Sequence, residues 1–324
     1  IVNSDWSSDV CSSDLLYSVS ESGLSPVYEV PIYGRIAALC KYCSSPGEKE
    51  NIIIYTDDYF FTVLSCDHSK GKILTVVCGN IRNKTGRSVD SDCICLVDPS
   101  NRVCLLHVYI GSVKIIPLTN EFNIAFRAFD IHIPELGIRD IQFLPSSGQI
   151  IRFAILYEYR GQKHLKVYQL DVSNKQVTDS SPALTSVAIP DTSSAIVPTQ
   201  ISDHIVVCSN STIQFYDISG MLVNHCKVTM EGPIIWDQIE DDKYLLCDHR
   251  GLISLLVVES DRIRCSTLGR VESTSVIRYI DNRVIYTGSY SGPSHLLRIL
   301  SNRLEPITAY NNCGPIIDMV AVEG

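Results

Sequence analysis

"FAILYEYRGQKHLKVYQL" runs from Phe153 to Leu170, and its reading decides the fold. Two runs rich in aliphatic and aromatic residues flank a short polar break at Gly161, the pattern of a β-hairpin. The arm that continues as "KVYQLDV" alternates with period two, as does "STIQFYDI" at 211–218. That is the period of a strand with two distinct faces. The same unit recurs outward in both directions. Hairpins break near Ser22, at Asp57 and Asp58, at Gly111, at Asn210, near Arg250 and near Ser291. With Gly161 included, the breaks stand 35, 54, 50, 49, 40 and 41 residues apart.

A repeat of about 40–50 residues built from hairpins is the mark of propeller blades. Helical solenoids repeat at similar lengths, but they need apolar residues at i, i+3 and i+4, and such spacing is scarce here. No segment carries the caps and length of a helix. A pair of β-sandwiches would place turns every ~8–12 residues throughout. The expected fold is all-β, a seven-bladed WD-like β-propeller with an incomplete N-terminal blade.

Composition narrows the function. The 324 residues exceed the usual ~100–200 of one domain, although propellers often run longer as single units. Hydrophobic residues make up 45% and charged residues 19%, enough for a large core. No apolar run approaches the ~20 residues of a membrane helix, and nothing resembles a signal peptide. Net charge is −9, from 36 acids and 27 bases. Phosphate binding relies on clustered Lys and Arg, and the nearest thing to a patch is Arg82, Lys84 and Arg87. Direct, sequence-reading DNA binding is therefore not expected.

Thirteen cysteines are placed quietly. Cys93, Cys95, Cys104, Cys208 and Cys247 sit in apolar strand-like runs, where free Cys behaves as a small hydrophobe. Cys40 and Cys43 form one C-x-x-C, but no second pair follows at zinc-ribbon spacing, so no metal is expected. This usage suits a reducing compartment. The sequence has no G-x-S-x-G, phosphate-binding loop, H-E-x-x-H or G-x-G-x-x-G. "EDDK" at 240–243 reads as a solvated turn. "CDHRG" at 247–251 reads as a hairpin turn, because neighbours on a strand point to opposite faces. Neither a catalyst nor a cofactor is expected.

Eight segments, in order, carry a resemblance: "PIYGRIAAL", "IIIYTDDYFFTVL", "GRSVDSDCICLVDPSNRVCLLHVYIGSVKIIPL", "ELGIRDIQFL", "YEYRGQKHLKVYQLDV", "YLLCDHRGLISLLVV", "VIRYIDNRVIYTGSYSGPSHLLRIL" and "NNCGPIIDMVAVEG". Together they resemble the first propeller of the family of the large subunit of the damage-specific DNA-binding protein. That family supplies the adaptor of cullin-type RING ubiquitin ligases. The resemblance covers 16–324 and implies a truncated first propeller holding half of a clamp for substrate-receptor proteins, often gripped through a short helix. It further implies that the cullin binds a different propeller, that DNA is reached only through a receptor subunit, and that the protein works in nucleus and cytoplasm. Relatives of the same plan, large subunits of cleavage-and-polyadenylation and splicing factors, are similar but less so, and imply an RNA-processing scaffold instead.

By motif alignment, the resemblance assigns partner-facing roles to Tyr279 and Asn282 of "YIDN" and to Pro315, Ile316, Ile317 and Asp318 of "GPIIDM". Ile316 and Ile317 lie on a strand whose alternate positions pack between blades, so one of the two is expected to face a partner. Ser291 belongs to the same surface but departs from the family, which usually has an apolar residue there. Residues 1–15 do not fit the resemblance. Translating a common sequencing-adapter string gives Asp5 to Leu15 without a mismatch, and the chain starts at Ile1. This leader is expected to be non-native and unpacked, since a Ser/Asp segment cannot offset its ordering entropy. The blade beside it is expected to have an open seam.

Overall fold

Apolar runs broken by polar turns fold here into antiparallel meanders, four strands at a time. A computed structural model describes residues 2–4, 11–20, 23–43, 50–67, 72–82, 87–118, 128–146, 150–180, 182–184, 187–201, 203–311, 316 and 318–322. The strands are β1 (Val2–Ser4), β2 (Cys11–Ser20), β3 (Gly23–Tyr33), β4 (Ile36–Cys43), β5 (Glu50–Thr56), β6 (Phe60–Asp67) and β7 (Lys72–Asn80). They continue as β8 (Ile94–Val97), β9 (Val103–Tyr109), β10 (Ser112–Pro117), β11 (Phe129–His132), β12 (Ile138–Leu144), β13 (Ile151–Tyr159), β14 (Gln162–Asp171) and β15 (Gln176–Asp179). Next come β16 (Ser193–Pro198), β17 (His204–Ser209), β18 (Thr212–Asp217), β19 (Leu222–Lys227), β20 (Ile234–Glu240), β21 (Lys243–Asp248), β22 (Leu252–Val258) and β23 (Ile263–Arg270). The last are β24 (Val276–Asp281), β25 (Val284–Gly288), β26 (Ser294–Ile299), β27 (Leu304–Tyr310) and β28 (Met319–Val320).

Six sheets each use four consecutive strands: β4–β7, β8–β11, β12–β15, β16–β19, β20–β23 and β24–β27. Another sheet is composite, in the order β28-β1-β2-β3. The expectation of seven blades, the N-terminal one incomplete, is corrected accordingly: among the described residues there are six contiguous blades and one composite sheet. In the composite sheet the hairpin β2–β3 is joined by β1, which precedes it, and by β28 from the far end of the sequence.

Burial grades across each blade. The second strands are buried on both faces, as in β9, where all seven residues are buried, and β13. Such strands read as continuous apolar runs. The fourth strands β15, β19 and β27 alternate or lie mostly exposed, and so carry Asn, Lys, Glu and Thr. Cores form where neighbouring sheets face each other. One packs Phe61, Val63 and Tyr55 against Cys104, Leu106 and Ile116, and another packs Phe215 and Ile213 against Tyr244, Leu246 and Leu256. Fully burying each such side chain contributes about 1.5–3 kcal/mol.

Contacts divide the chain into two compact units. One comprises Ile1–His132, Gly288–Ser294 and Ile307–Gly324, and the other Ile133–Thr287 and His295–Pro306.

The expectation of an open seam is also corrected. β1 pairs antiparallel with β28 (Val2↔Val320, Asn3↔Met319) and with β2 (Val2↔Leu16, Asn3↔Leu15, Ser4↔Asp14). The cause is general: a sheet edge offers unpaired backbone N–H and C=O groups, which accept a neighbouring strand largely irrespective of its side chains. Trp6 lies outside the described residues.

Candidate partner-binding surface

The first strands of neighbouring blades are latched by side chains. The Asp140 carboxylate on β12 accepts the Ile196 N–H at 2.6 Å, and Ser194 Oγ on β16 accepts the Ile234 N–H at 3.0 Å. Asp237 on β20 accepts the Tyr279 N–H. In the other unit, Asp318 Oδ2 accepts the Leu39 N–H at 3.0 Å, and the Cys40 thiol donates to the Cys95 carbonyl at 2.9 Å. Each is a polar side-chain atom in or beside a first strand, satisfied by the backbone of the next blade.

This device absorbs two of the sequence-assigned residues. Asp318 is half-buried, and its second oxygen accepts the Met319 N–H at 2.7 Å. Tyr279 is half-buried, with its ring against the core of Leu245, Ile277 and Ile285. Its hydroxyl accepts the Arg283 N–H at 3.3 Å, which closes the β24–β25 turn. Asn282 and Arg283 form that turn at φ 49° and 64°. Two successive positive φ values suit the tight hairpin turn whose twist matches the flanking strands. Asn282 is exposed and hydrogen-bonds Asp281 through N–H and Nδ2 at 2.6 and 2.9 Å. Beside this turn Glu240 holds the Lys243 ammonium above its ordinary pKa, against a smaller opposing push from Arg283. Tyr279, Asn282 and Arg283 thus stand together as one mixed aromatic and charged corner.

A second group gathers at the other end of β25. Ser289 Oγ is buried and accepts the N–H groups of Ser291 at 3.3 Å and Gly292 at 3.0 Å. The Ile316 N–H donates to the Ser289 carbonyl at 3.1 Å. Ile316 is only 3% exposed, so of the expected pair it is a packing residue. Pro315 and Ile317 lie outside the described residues. Ser291 is exposed, but the apolar surface of this corner belongs to Tyr290, at 59% exposure, a residue the resemblance does not assign. The two groups are not adjacent in the chain: Asn282 precedes β25 and Ser291 follows it.

Burial pushes the Cys93, Cys247 and Cys265 thiols up to about 12, so they stay protonated at neutral pH. Asp248 of "CDHRG" is spent inside its turn, accepting the N–H groups of Leu252 at 2.8 Å and Glu231 at 2.9 Å. Among the described residues no group of three His, Cys, Asp or Glu side chains is placed to hold a metal ion, and no helix is long and apolar enough to cross a membrane.

Residues 15–312 match the family model described as RSE1/DDB1/CPSF1 first beta-propeller. The chain belongs to this family. Its four-stranded sheets are thus the blades of an all-β propeller. DNA damage-binding protein 1a of Arabidopsis thaliana is 27% identical over 97% of this chain. DNA damage-binding protein 1 of Solanum lycopersicum is 27% identical and that of Oryza sativa subsp. japonica 28%, each over 97% of this chain. The chain spans about 30% of the length of each of these relatives.

Proposed function

We propose that this propeller is an interaction scaffold, one half of the substrate-receptor clamp of a cullin-RING ubiquitin ligase adaptor. In this reading it serves protein ubiquitination and the DNA-damage response in nucleus and cytoplasm, without catalysis or a cofactor. The observation that carries it is the family match over 15–312 together with relatives named for DNA damage binding. The two corners support it. Tyr279 with Asn282, and Tyr290 with Ser291, offer aromatic surface beside polar groups, which suits the apolar face of a short amphipathic helix. The net charge of −9 fits a protein that reaches DNA only through a receptor subunit. Cullin binding would belong to a propeller outside this chain. The family description also spans RSE1 and CPSF1, which keeps a second reading in view, a scaffold of an RNA-processing complex.

The test uses a longer chain carrying this propeller. Tyr279→Ala with Tyr290→Ala is expected to weaken receptor capture at least ~30-fold, about 2 kcal/mol, with cullin binding unchanged. Ile316→Asp is the folding control, because a charge at a buried site should abolish both contacts together. Receptor capture indifferent to the two tyrosines, or capture of RNA-processing subunits in place of receptors, would overturn the proposal.

A further inference from the structure

Four large apolar side chains of the described residues are more than half exposed, and two of them flank the hydrogen-bonded pair Gly137 and Glu158. Leu136 is 60% exposed and Tyr159 56%. The Glu158 N–H donates to the Gly137 carbonyl at 3.0 Å, which sets the segment before β12 against the end of β13. Gly137 lies at φ 70°, where a Cβ would stand 3.1 Å from the Glu158 carbonyl oxygen, so this close approach depends on glycine.

Tyr159 is exposed but not loose. Arg160 and Gly161 turn the chain at φ 52° and 79°, and the Arg160 guanidinium lies 5.1 Å from the Tyr159 ring centroid. His164 lies 6.4 Å from the same ring and stacks on Tyr157 at 5.3 Å. An aromatic held in place this way loses little entropy when a partner covers it.

The surrounding charge is of the opposite sign to the chain as a whole. Glu158 is shared by Arg139 at 3.0 Å and Lys163 at 2.8 Å, while Arg160 has no carboxylate partner among the described residues. Behind them the pair of Lys166 with Glu135 at 2.7 Å, flanked by Asp179 at 3.7 Å, is largely self-compensating. The corner presents more base than acid on a chain of net charge −9.

We propose that Leu136, Tyr159 and Arg160 form a docking surface for an acidic peptide segment of a partner protein, one carrying a single large apolar side chain. The apolar side chain covers Leu136 and the free face of Tyr159, and flanking carboxylates meet Arg160 and Arg139. A single-stranded nucleic acid could also stack on Tyr159. The aliphatic Leu136 favours the peptide, because it offers a base no stacking face. None of these residues is among those of the receptor clamp, and the proposal stands independently of that reading.

The test is selection of a displayed random dodecapeptide library on the 324-residue chain. Enriched peptides are expected to place Leu, Phe or Trp among Asp and Glu. The best of them, synthesised, should bind about tenfold more weakly to Tyr159→Ser and to Arg160→Glu, and unchanged to Tyr279→Ala. Both substituted positions are exposed, so thermal melting should confirm that the variants fold, and Arg160→Glu serves alone if Tyr159→Ser does not. No enrichment, enrichment without acids, binding indifferent to these changes, or a twelve-nucleotide dT strand bound through Tyr159 in place of the peptides would overturn the proposal.

Discussion

Asp140 is a carboxylate spent as a latch between blades. Its oxygens accept the Ile196 N–H at 2.6 Å and Gln142 Nε2 at 3.0 Å. Burial of the carboxyl pushes its pKa up to about 7, although these hydrogen bonds and one from the Ile141 N–H pull the other way. The residue as a whole keeps some exposed surface, so the energies below are upper values. The folded state holds this proton more tightly than the unfolded chain, whose carboxyl titrates near ~4. The associated stability is therefore full below about 4 and is lost as pH rises through about 7. Between pH 5 and 8 the wild type should lose about 2–3 kcal/mol through this group. Asp140→Asn keeps an oxygen for Ile196 and carries no charge, so its urea midpoint should not fall over that range on this account. Parallel pH profiles for the two proteins would refute the assignment. At this scale the sequence was only partly legible. Tyr279 and Asn282 come together as their shared motif implies. Asp318, however, is engaged by the Leu39 N–H, 279 residues away, and Ile316 is buried, and nothing local in the sequence records either. A recoverable signal exists: "RDIQF", "SSAIV" and "IIWDQ" each put an Asp or Ser beside aliphatic residues in a first strand.

Hairpins were the most legible elements, because their turns require particular backbone conformations and few residues supply them. Gly161 and Gly251 make the point quantitative. Both lie at positive φ, 79° and 78°, and both follow the second strand of a blade. Around Gly161 a Cβ would meet nothing within 4 Å. At Gly251 it would collide with the backbone oxygens of Val271 and Glu272, and the Gly251 carbonyl is itself bound by the Val271 N–H at 2.9 Å. Gly161→Ala should thus cost only the left-handed strain of an L-residue, about 1–2 kcal/mol. Gly251→Ala adds a clash that only backbone movement relieves, and should cost at least ~3 kcal/mol in chemical denaturation. Equal costs would show that the surroundings of Gly251 yield more easily than its hydrogen bonding implies. The composite sheet was not legible in this way. β28 is two residues long and its partner β1 lies at the other end of the sequence, so neither period nor turn chemistry announces the pairing.

At the scale of the whole molecule, a spacing of 35 to 54 residues between turns sufficed to read a propeller, because each blade repeats the same burial problem. The spacing says nothing about how the first blade is completed, and that is where the expectation of an open seam went astray. β1 adds three residues, paired at two positions with β28 and at three with β2, whereas β2 and β3 share ten paired positions. The two parts of the leader should therefore differ in weight. A chain beginning at Cys11 loses β1 and its few backbone hydrogen bonds, and its melting temperature should fall by no more than about 2 °C. It should scatter more light on standing, because the edges of β2 and β28 are then both uncovered. A chain beginning at Gly23 loses β2 as well, leaves β3 without its partner along its length, and should melt at least ~10 °C lower. The discriminating outcome is the first deletion: a fall as large as the second would mean that β1 completes the sheet as a cooperative unit, and residues 1–10 could not then be regarded as foreign to the fold.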